Sequence, residues 1–417
     1  MTRLRVAIAA THCSLFQGGE AALPYHCFRV LRRRGVDVHL VAHGRCGEEL
    51  RTAFPDEGGR IHLVGDDALD RLAWRAAKPL PERVGLATVG AVSFVRTQLR
   101  QRELLRGLVR ERGVNVIHQP MPVSPSQPSL LHGLGAPVVI GPMNGAMNHP
   151  LAFRDRELAL DRVARWTARA LAGPLNALLP GKLEAAALLV ANARTAAALP
   201  GGTGKVLELP ENGIDAELWR PAVARPADGV VRFVVSGRLV RWKGIDLLLE
   251  AWARVRGTMR ATLDVLGDGH ERDALEALAG QLGLLQDGSV RFHGWLPQVA
   301  CAARLALADA LVLPSLLECG GAVVLEGMAS GLPVIATAWG GPCDYLDESC
   351  GILVEPSSRE ALIAGLAHAM RRLHDDPALR RRLGAAGRER ARADYDWERK
   401  VDRLLEVYGD VVDRAAA

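Results

Sequence analysis

Residues Ala308–Leu346 read ADALVLPSLLECGGAVVLEGMASGLPVIATAWGGPCDYL. The apolar run Leu311–Leu313, closed by Pro314, has the length and character of a strand buried on both faces. A polar loop follows, carrying Glu318 and the pair Gly320-Gly321, and Gly321–Ala329 then has the composition of a short helix. Pro333–Ala336 (PVIA) is the next apolar run, so the segment reads strand, loop, helix, strand. A connection of this kind joins parallel strands. The same alternation continues on both sides. Upstream, Val231–Ser236, Thr262–Leu266 and Val290–His293 are expected strands, separated by helices Gly244–Val255 and Glu271–Leu282; downstream come Ile352–Glu355 and a last helix over Trp397–Val412. The first half repeats the pattern, with strands at Arg5–Ala10, Asp37–Ala42, Asn115–His118, Pro137–Ile140 and Leu188–Ala191. A helix over Glu20–Arg34 ends at Gly35, and Phe153–Leu179 reads as one or two surface helices. The expectation is an α/β chain of two successive doubly wound units, divided near residues 200–228. Ligands of such sheets bind at the carboxyl ends of the strands, which two facing sheets would turn towards a common cleft.

Bulk properties fit this reading. A chain of 417 residues, half hydrophobic and a quarter charged, is enough for two ordinary globular domains. The net charge of +5 is spread along the chain. It permits anionic ligands, but there is no basic tail or aromatic-plus-basic array for nucleic acid. The seven cysteines include no C-x-x-C pair and read as reduced thiols of a cytoplasmic protein. The N-terminus is basic and then apolar, yet Val6–Ala10 is too short for the core of a signal peptide and is better explained as a strand. No run of 18 apolar residues is present.

Several residues could carry chemistry. Glycines at a helix start let backbone N–H groups approach a phosphate, and the helix dipole favours its charge. That makes Gly320, Gly321, Ala322 and Val323 a candidate anion site. Glu318 precedes this start, and Glu326 lies inside the helix, roughly 10 Å further on. The two carboxylates could bind hydroxyls at opposite ends of an extended ligand. Equally, Glu318 could cap the helix and Glu326 be an ordinary surface residue. In VVSGRLVRWKGID (Val234–Asp246), Arg238 and Lys243 follow a strand and precede a helix, where they could neutralise a diphosphate, or could simply be solvated; Trp242 between them reads as packing. Gly18 and Gly19 precede the first helix, but not in a G-x-G-x-x-G arrangement, which argues against a nicotinamide site. His118 ends a strand at the expected cleft. It could hydrogen-bond a sugar or polarise a reacting group, or be a satisfied structural histidine; His12 is a second candidate. The D-x-D triplet Asp394–Asp396 lies beside the last helix, where an N-cap role for Asp396 outweighs a metal site. Residues Arg154–Arg169 combine five arginines with Leu158, Val163 and Trp166, a pattern that either lies on anionic lipid or forms a solvated face.

Taken in order, Gly18-Gly19-Glu20, Asn212-Gly213-Ile214-Asp215, Ser236-Gly237-Arg238-Leu239 with Lys243-Gly244, Gly267-Asp268-Gly269, Phe292-His293-Gly294, and Glu318 followed by Glu326 and Ala329-Ser330-Gly331-Leu332-Pro333 resemble the retaining glycosyltransferases of family 4. The resemblance implies a GT-B fold, two Rossmann-like domains whose parallel sheets face an interdomain cleft. It implies an N-terminal acceptor domain over 1–204, a nucleotide-sugar domain over 205–395, and a helix over 396–417 returning to the first domain. It further implies that Arg238 and Lys243 bind the donor diphosphate, Glu318 the donor sugar and Glu326 the ribose hydroxyls. Gly18 and Gly19 would close on the phosphates, and Gly294 and Leu296 would lie near the base. His118 would stand near the transferred sugar. Three positions depart from the family's pattern: Cys319-Gly320-Gly321 replaces an aromatic and one glycine, Pro210-Glu211-Asn212-Gly213 replaces Pro-Asn-Gly, and Ile117-His118-Gln119 replaces H-x-H. The stretches His118–Pro128 and Gly141–Met147 are similar to a bacterial subgroup of polysaccharide and glycolipid assembly. The implied reaction is metal-independent, retaining transfer from a nucleotide-diphosphate-sugar to a hydroxyl acceptor, lipid-linked acceptors included, with no cofactor and no metal. A sugar-nucleotide 2-epimerase of the same fold and a non-catalytic donor-binding subunit are the competing readings.

Overall fold

The computed structural model describes residues 3–16, 19–77, 89–157, 159–223 and 228–417. Its contacts divide the chain into two units, one of Met1–Ala146, Ala164–Glu211 and Lys400–Ala417, the other of Met147–Val163 and Asn212–Arg399. The division therefore falls at 211/212 rather than 204/205, and 147–163 sits with the second unit. The physical reason is local: Phe153 is buried in the second unit's core, Arg156 pairs with Asp246, and the Trp339 indole N–H donates to Asn148 O at 2.8 Å.

The first unit holds a parallel sheet of strands β1 (Arg5–Ala9), β2 (Asp37–His43), β3 (Ile61–Val64), β4 (Val116–Gln119), β5 (Val138–Met143), β6 (Ala187–Val190) and β7 (Val206–Glu208), in the order β3-β2-β1-β4-β5-β6-β7. β1, β2, β4, β5 and β6 are almost wholly buried, which is why they stand out as continuous apolar runs. The short β3 and the edge strand β7, whose outer residues are exposed, lack that signature and are absent from the sequence reading. The helix Gly19–Arg33 follows β1, and the long helix Ala91–Arg112 precedes β4.

The second unit holds β8 (Val231–Ser236), β9 (Ala261–Leu266), β10 (Val290–Gly294), β11 (Ala310–Leu313), β12 (Val334–Thr337) and β13 (Gly351–Val354), parallel and ordered β10-β9-β8-β11-β12-β13. One face packs against the helices Ile245–Val255 and Arg359–Asp375, with Trp252 fully buried; the other receives the helix Ala322–Ala329. In each sheet the strand order reverses beside its first strand, between β1 and β4 and between β8 and β11. Successive connections leave in opposite directions there, opening a crevice at the strand ends.

Candidate functional site

The second unit's reversal point positions most of the residues singled out from sequence. β8 ends at Ser236, and the chain turns through Gly237 and Arg238 into a short turn, Arg241–Lys243, before the helix Ile245–Val255. β11, its sheet neighbour, ends at Leu313 and leads through Pro314 and Ser315 to Glu318. The two loops are tied by a backbone hydrogen bond from Leu316 N to Trp242 O at 2.8 Å. This tie brings Lys243 and Glu318, 75 residues apart, into an ion pair in which the ammonium donates to Glu318 Oε2. The Ser315 hydroxyl donates to the same oxygen at 3.1 Å. Both side chains of the pair are largely shielded, at 15% and 13% exposure. Glu318 thus does not cap the helix after it.

That helix, Ala322–Ala329, starts from Gly321, whose φ of 73° lies in the left-handed region. A side chain there would be strained, and its Cβ would press on Glu318 Cγ at 3.1 Å. The amides of Ala322 and Val323 open the first turn and have no acceptor within the helix. Arg238 is exposed, and its guanidinium makes no ion pair or hydrogen bond among the described residues. Its guanidinium is available to a ligand.

Glu326 is the one ionisable residue of its helix and is partly buried, and its carboxyl has no hydrogen-bond partner among the described residues. Burial pushes its carboxyl from the ordinary 4.5 up to about 7. It lies close enough to Cys301 for its charge to add to the burial that raises that thiol to about 11. Cys301 in turn donates its S–H to Leu296 O at 3.6 Å. Leu296 packs, partly buried, on the apolar cluster that contains Val324 and Leu325. Gly294, the last residue of β10, has a φ of 70° and donates no side chain to this region. Glu326, Cys301 and Leu296 are therefore one neighbourhood, further along the helix from Glu318.

One part of the site has no counterpart in the sequence reading. After β12 the chain passes through Trp339-Gly340-Gly341, and Gly341 N donates to Glu318 O at 2.8 Å. A Cβ on Gly341 would lie 2.4 Å from Cys319 O and 2.5 Å from Gly320 O. The second Gly-Gly of the decisive segment is thus a close backbone approach that holds the Glu318 loop in place. Its signal was the doublet itself, overlooked because the first doublet explained the helix start.

In the first unit the outcome differs. His118 is fully buried rather than at an open edge. Its Nε2–H donates to Gly141 O at 2.6 Å, and its Nδ1 accepts from the Tyr408 hydroxyl at 2.7 Å. Burial holds the imidazole down at about 4, so it is neutral. With both nitrogens engaged, the geometry favours the satisfied structural histidine over the expected role near a sugar. The cause is the last helix, Trp397–Ala416, which delivers Tyr408 from 290 residues away in the chain. Gly18 lies outside the described residues, and Gly19 is an exposed residue at the start of its helix. Asp396 accepts the amide of Glu398 at 2.8 Å, a capping contact for the last helix. No described helix is long and apolar enough to cross a membrane.

Comparison with known proteins agrees with this geometry. Residues 219–390, nearly all of the second unit's sheet and its site, match the sequence model of the glycosyl transferases group 1 family. The chain is 36% identical over 199 residues to a glycogen synthase of Mycobacterium tuberculosis, an alignment covering 47% of each protein. It spans about half the length of the curated relatives it matches first. With the MMP alpha-(1->4)-mannosyltransferase of Mycolicibacterium hassiacum it is 27% identical over 99% of this chain and 100% of that one. Among solved structures, Anabaena HepE in complex with UDP superposes with a TM-score of 0.68 at 14% identity, covering 98% of this chain and 100% of that one. The two parallel-sheet units are those of the GT-B fold.

Proposed function

From the match of residues 219–390 to the glycosyl transferases group 1 model, we propose that the chain is a cytoplasmic, retaining, metal-independent hexosyltransferase. It moves a sugar from a nucleotide-diphosphate-sugar to a hydroxyl acceptor in polysaccharide, glycolipid or other glycoconjugate assembly. The observation that carries this reading is the convergence of Arg238, Lys243, Glu318 and the helix start at Gly321 on the β8/β11 reversal point, with the unpartnered carboxyl of Glu326 further along the same helix. A structural neighbour that holds UDP supports a nucleotide donor.

In the reaction the bond from the anomeric carbon to the diphosphate breaks, and negative charge grows on the leaving phosphate. Arg238 and Lys243 supply fixed positive charge, and the amides of Ala322 and Val323 supply donors, for that charge. Glu318 accepts from hydroxyls of the donor sugar, and Glu326 from those of the ribose. The acceptor hydroxyl attacks from the face the phosphate leaves, and its proton passes to a phosphate oxygen, so no side-chain base is required. His118 takes no part.

Incubation with a panel of nucleotide sugars and hydroxyl acceptors, with and without EDTA, tests the proposal. The expected result is a glycosylated acceptor with the donor's anomeric configuration and undiminished turnover in EDTA. Turnover lost in EDTA and restored by magnesium overturns metal independence. A donor epimerised without any acceptor identifies a 2-epimerase, and a donor that binds but is never consumed identifies a donor-binding subunit.

A further inference from the structure

The helix Ala159–Leu178 turns five large apolar side chains outward. Val163, Trp166, Leu171, Leu175 and Leu178 are all exposed, Trp166 by 71% and Leu178 by 74%. At 100° per residue, Val163, Trp166, Leu171 and Leu178 share an arc of about 140°. Arg162, Arg165 and Arg169 run along one border of that arc. From Arg162 to Leu178 the helix carries these three arginines and no lysine, aspartate or glutamate. A helix on a globular protein ordinarily directs such a stripe into the core; here the stripe, with a tryptophan in it, is left to the surroundings.

We propose that this face docks on the surface of an anionic phospholipid membrane. The chemistry fits on three counts. The indole and leucines can enter the boundary between headgroups and acyl chains, where tryptophan is favoured. The arginine border meets lipid phosphates while its stems lie along the apolar arc. The complementary charge comes from the lipid: the helix carries three arginines against the single carboxylate of Asp161, so self-association through it would bring a net excess of like charge together. The helix is not itself long and apolar enough to span the bilayer. It lies in the interface, as a helix of moderate apolarity with a cationic border does. This inference concerns a different surface from the donor site and stands apart from the proposed transfer activity.

Sedimentation of the full chain with vesicles of phosphatidylcholine alone, or of equal parts phosphatidylcholine and phosphatidylglycerol, tests it at low and high salt. Binding is expected to the phosphatidylglycerol vesicles, falling as salt rises. The double variant Trp166→Ser/Leu178→Ser should bind about tenfold or more weakly through lost apolar burial. Arg162→Gln/Arg169→Gln should lose about five-fold per arginine. All four positions lie on one helix surface, and thermal melting checks that each variant remains folded. Donor consumption with a soluble acceptor should be unchanged in both variants, which separates failure of docking from failure of the transfer reading. No binding to the anionic vesicles, or binding indifferent to both variants, overturns the proposal. So does a wild-type dimer in light scattering that the Trp166→Ser/Leu178→Ser variant abolishes, since the face would then belong to a second copy.

Discussion

Glu326 is expected to make the protein less stable and better at binding its donor as the pH rises, and Glu326→Gln should remove both effects. The carboxyl titrates at about 7 in the folded chain against an ordinary 4.5, because burial disfavours its charged form. Between those two values the folded state keeps a proton that the unfolded state has released. Stability therefore falls as pH rises through that window and levels off above it. A displacement of this size corresponds to about 3 kcal/mol by pH 8. Glutamine mimics the neutral form at every pH. The variant should match wild type near pH 4.5 and exceed it increasingly above, by about 6–12 °C in Tm at pH 8 for a unit of this size. Donor binding should run the other way. If ribose hydroxyls donate to the carboxylate, wild-type affinity for the nucleotide sugar rises about tenfold per pH unit below 7 and then flattens, whereas the variant binds more weakly at pH 8 and shows no such rise. Thermal melts from pH 4.5 to 8.5, paired with titration calorimetry of the donor, read both quantities on the same samples. Stability curves of wild type and variant that run parallel across this range would refute the argument.

Arg238→Ala and Lys243→Ala should each lower turnover by about 10²-fold, the usual cost of losing one preorganised group from a developing charge, while the melting profile changes little; near-normal rates in steady-state assays would remove the residue from the role. Tyr408→Phe should cost about 1–2 kcal/mol in denaturant unfolding, because it leaves His118 Nδ1 buried without its donor, and should leave donor affinity unaltered. His118 acts in the opposite sense to Glu326: buried neutral, with its imidazole held at about 4, it excludes a proton that the unfolded chain takes up below its ordinary 6.5, so its share of stability is lost as pH falls through that interval.

The sheets were legible where strands are buried on both faces, since β1, β8, β11 and β12 have no solvent side to interrupt their apolar runs. β7 was not legible, because an exposed edge strand of three residues carries no periodicity. Within the site, Arg238, Lys243 and Glu318 could be found because each lies in the loop that follows a strand, and strand ends are where a doubly wound sheet exposes its chain. That Lys243 and Glu318 pair was not readable, since it depends on β8 and β11 being neighbours although β9 and β10 lie between them in sequence. His118 is the reverse case. It follows every rule for a strand-end residue, and only the distant Tyr408 converts it into a core group. Positions of backbone are local in origin, whereas the occupancy of a side chain is decided by whatever the rest of the chain brings to it.

The two carboxylates of the site are kept from opposing an incoming anion by two different means. Glu318 is held against the Lys243 ammonium, with Ser315 donating to the same oxygen. Glu326 has no cation beside it, and at neutral pH burial leaves it about half protonated. The local balance in the ligand-free protein is thus set by the unpaired guanidinium of Arg238 and the dipole of the helix start, both attractive to a diphosphate. Had Glu326 been solvated, it would stand fully charged at pH 7 on the same short helix and weaken that attraction. Had it been paired with a cation, its oxygens would be occupied when hydroxyls arrive. An unpartnered, partly buried carboxyl meets both requirements, because its charge is reduced before the ligand arrives and hydroxyl donors then favour the ionised form.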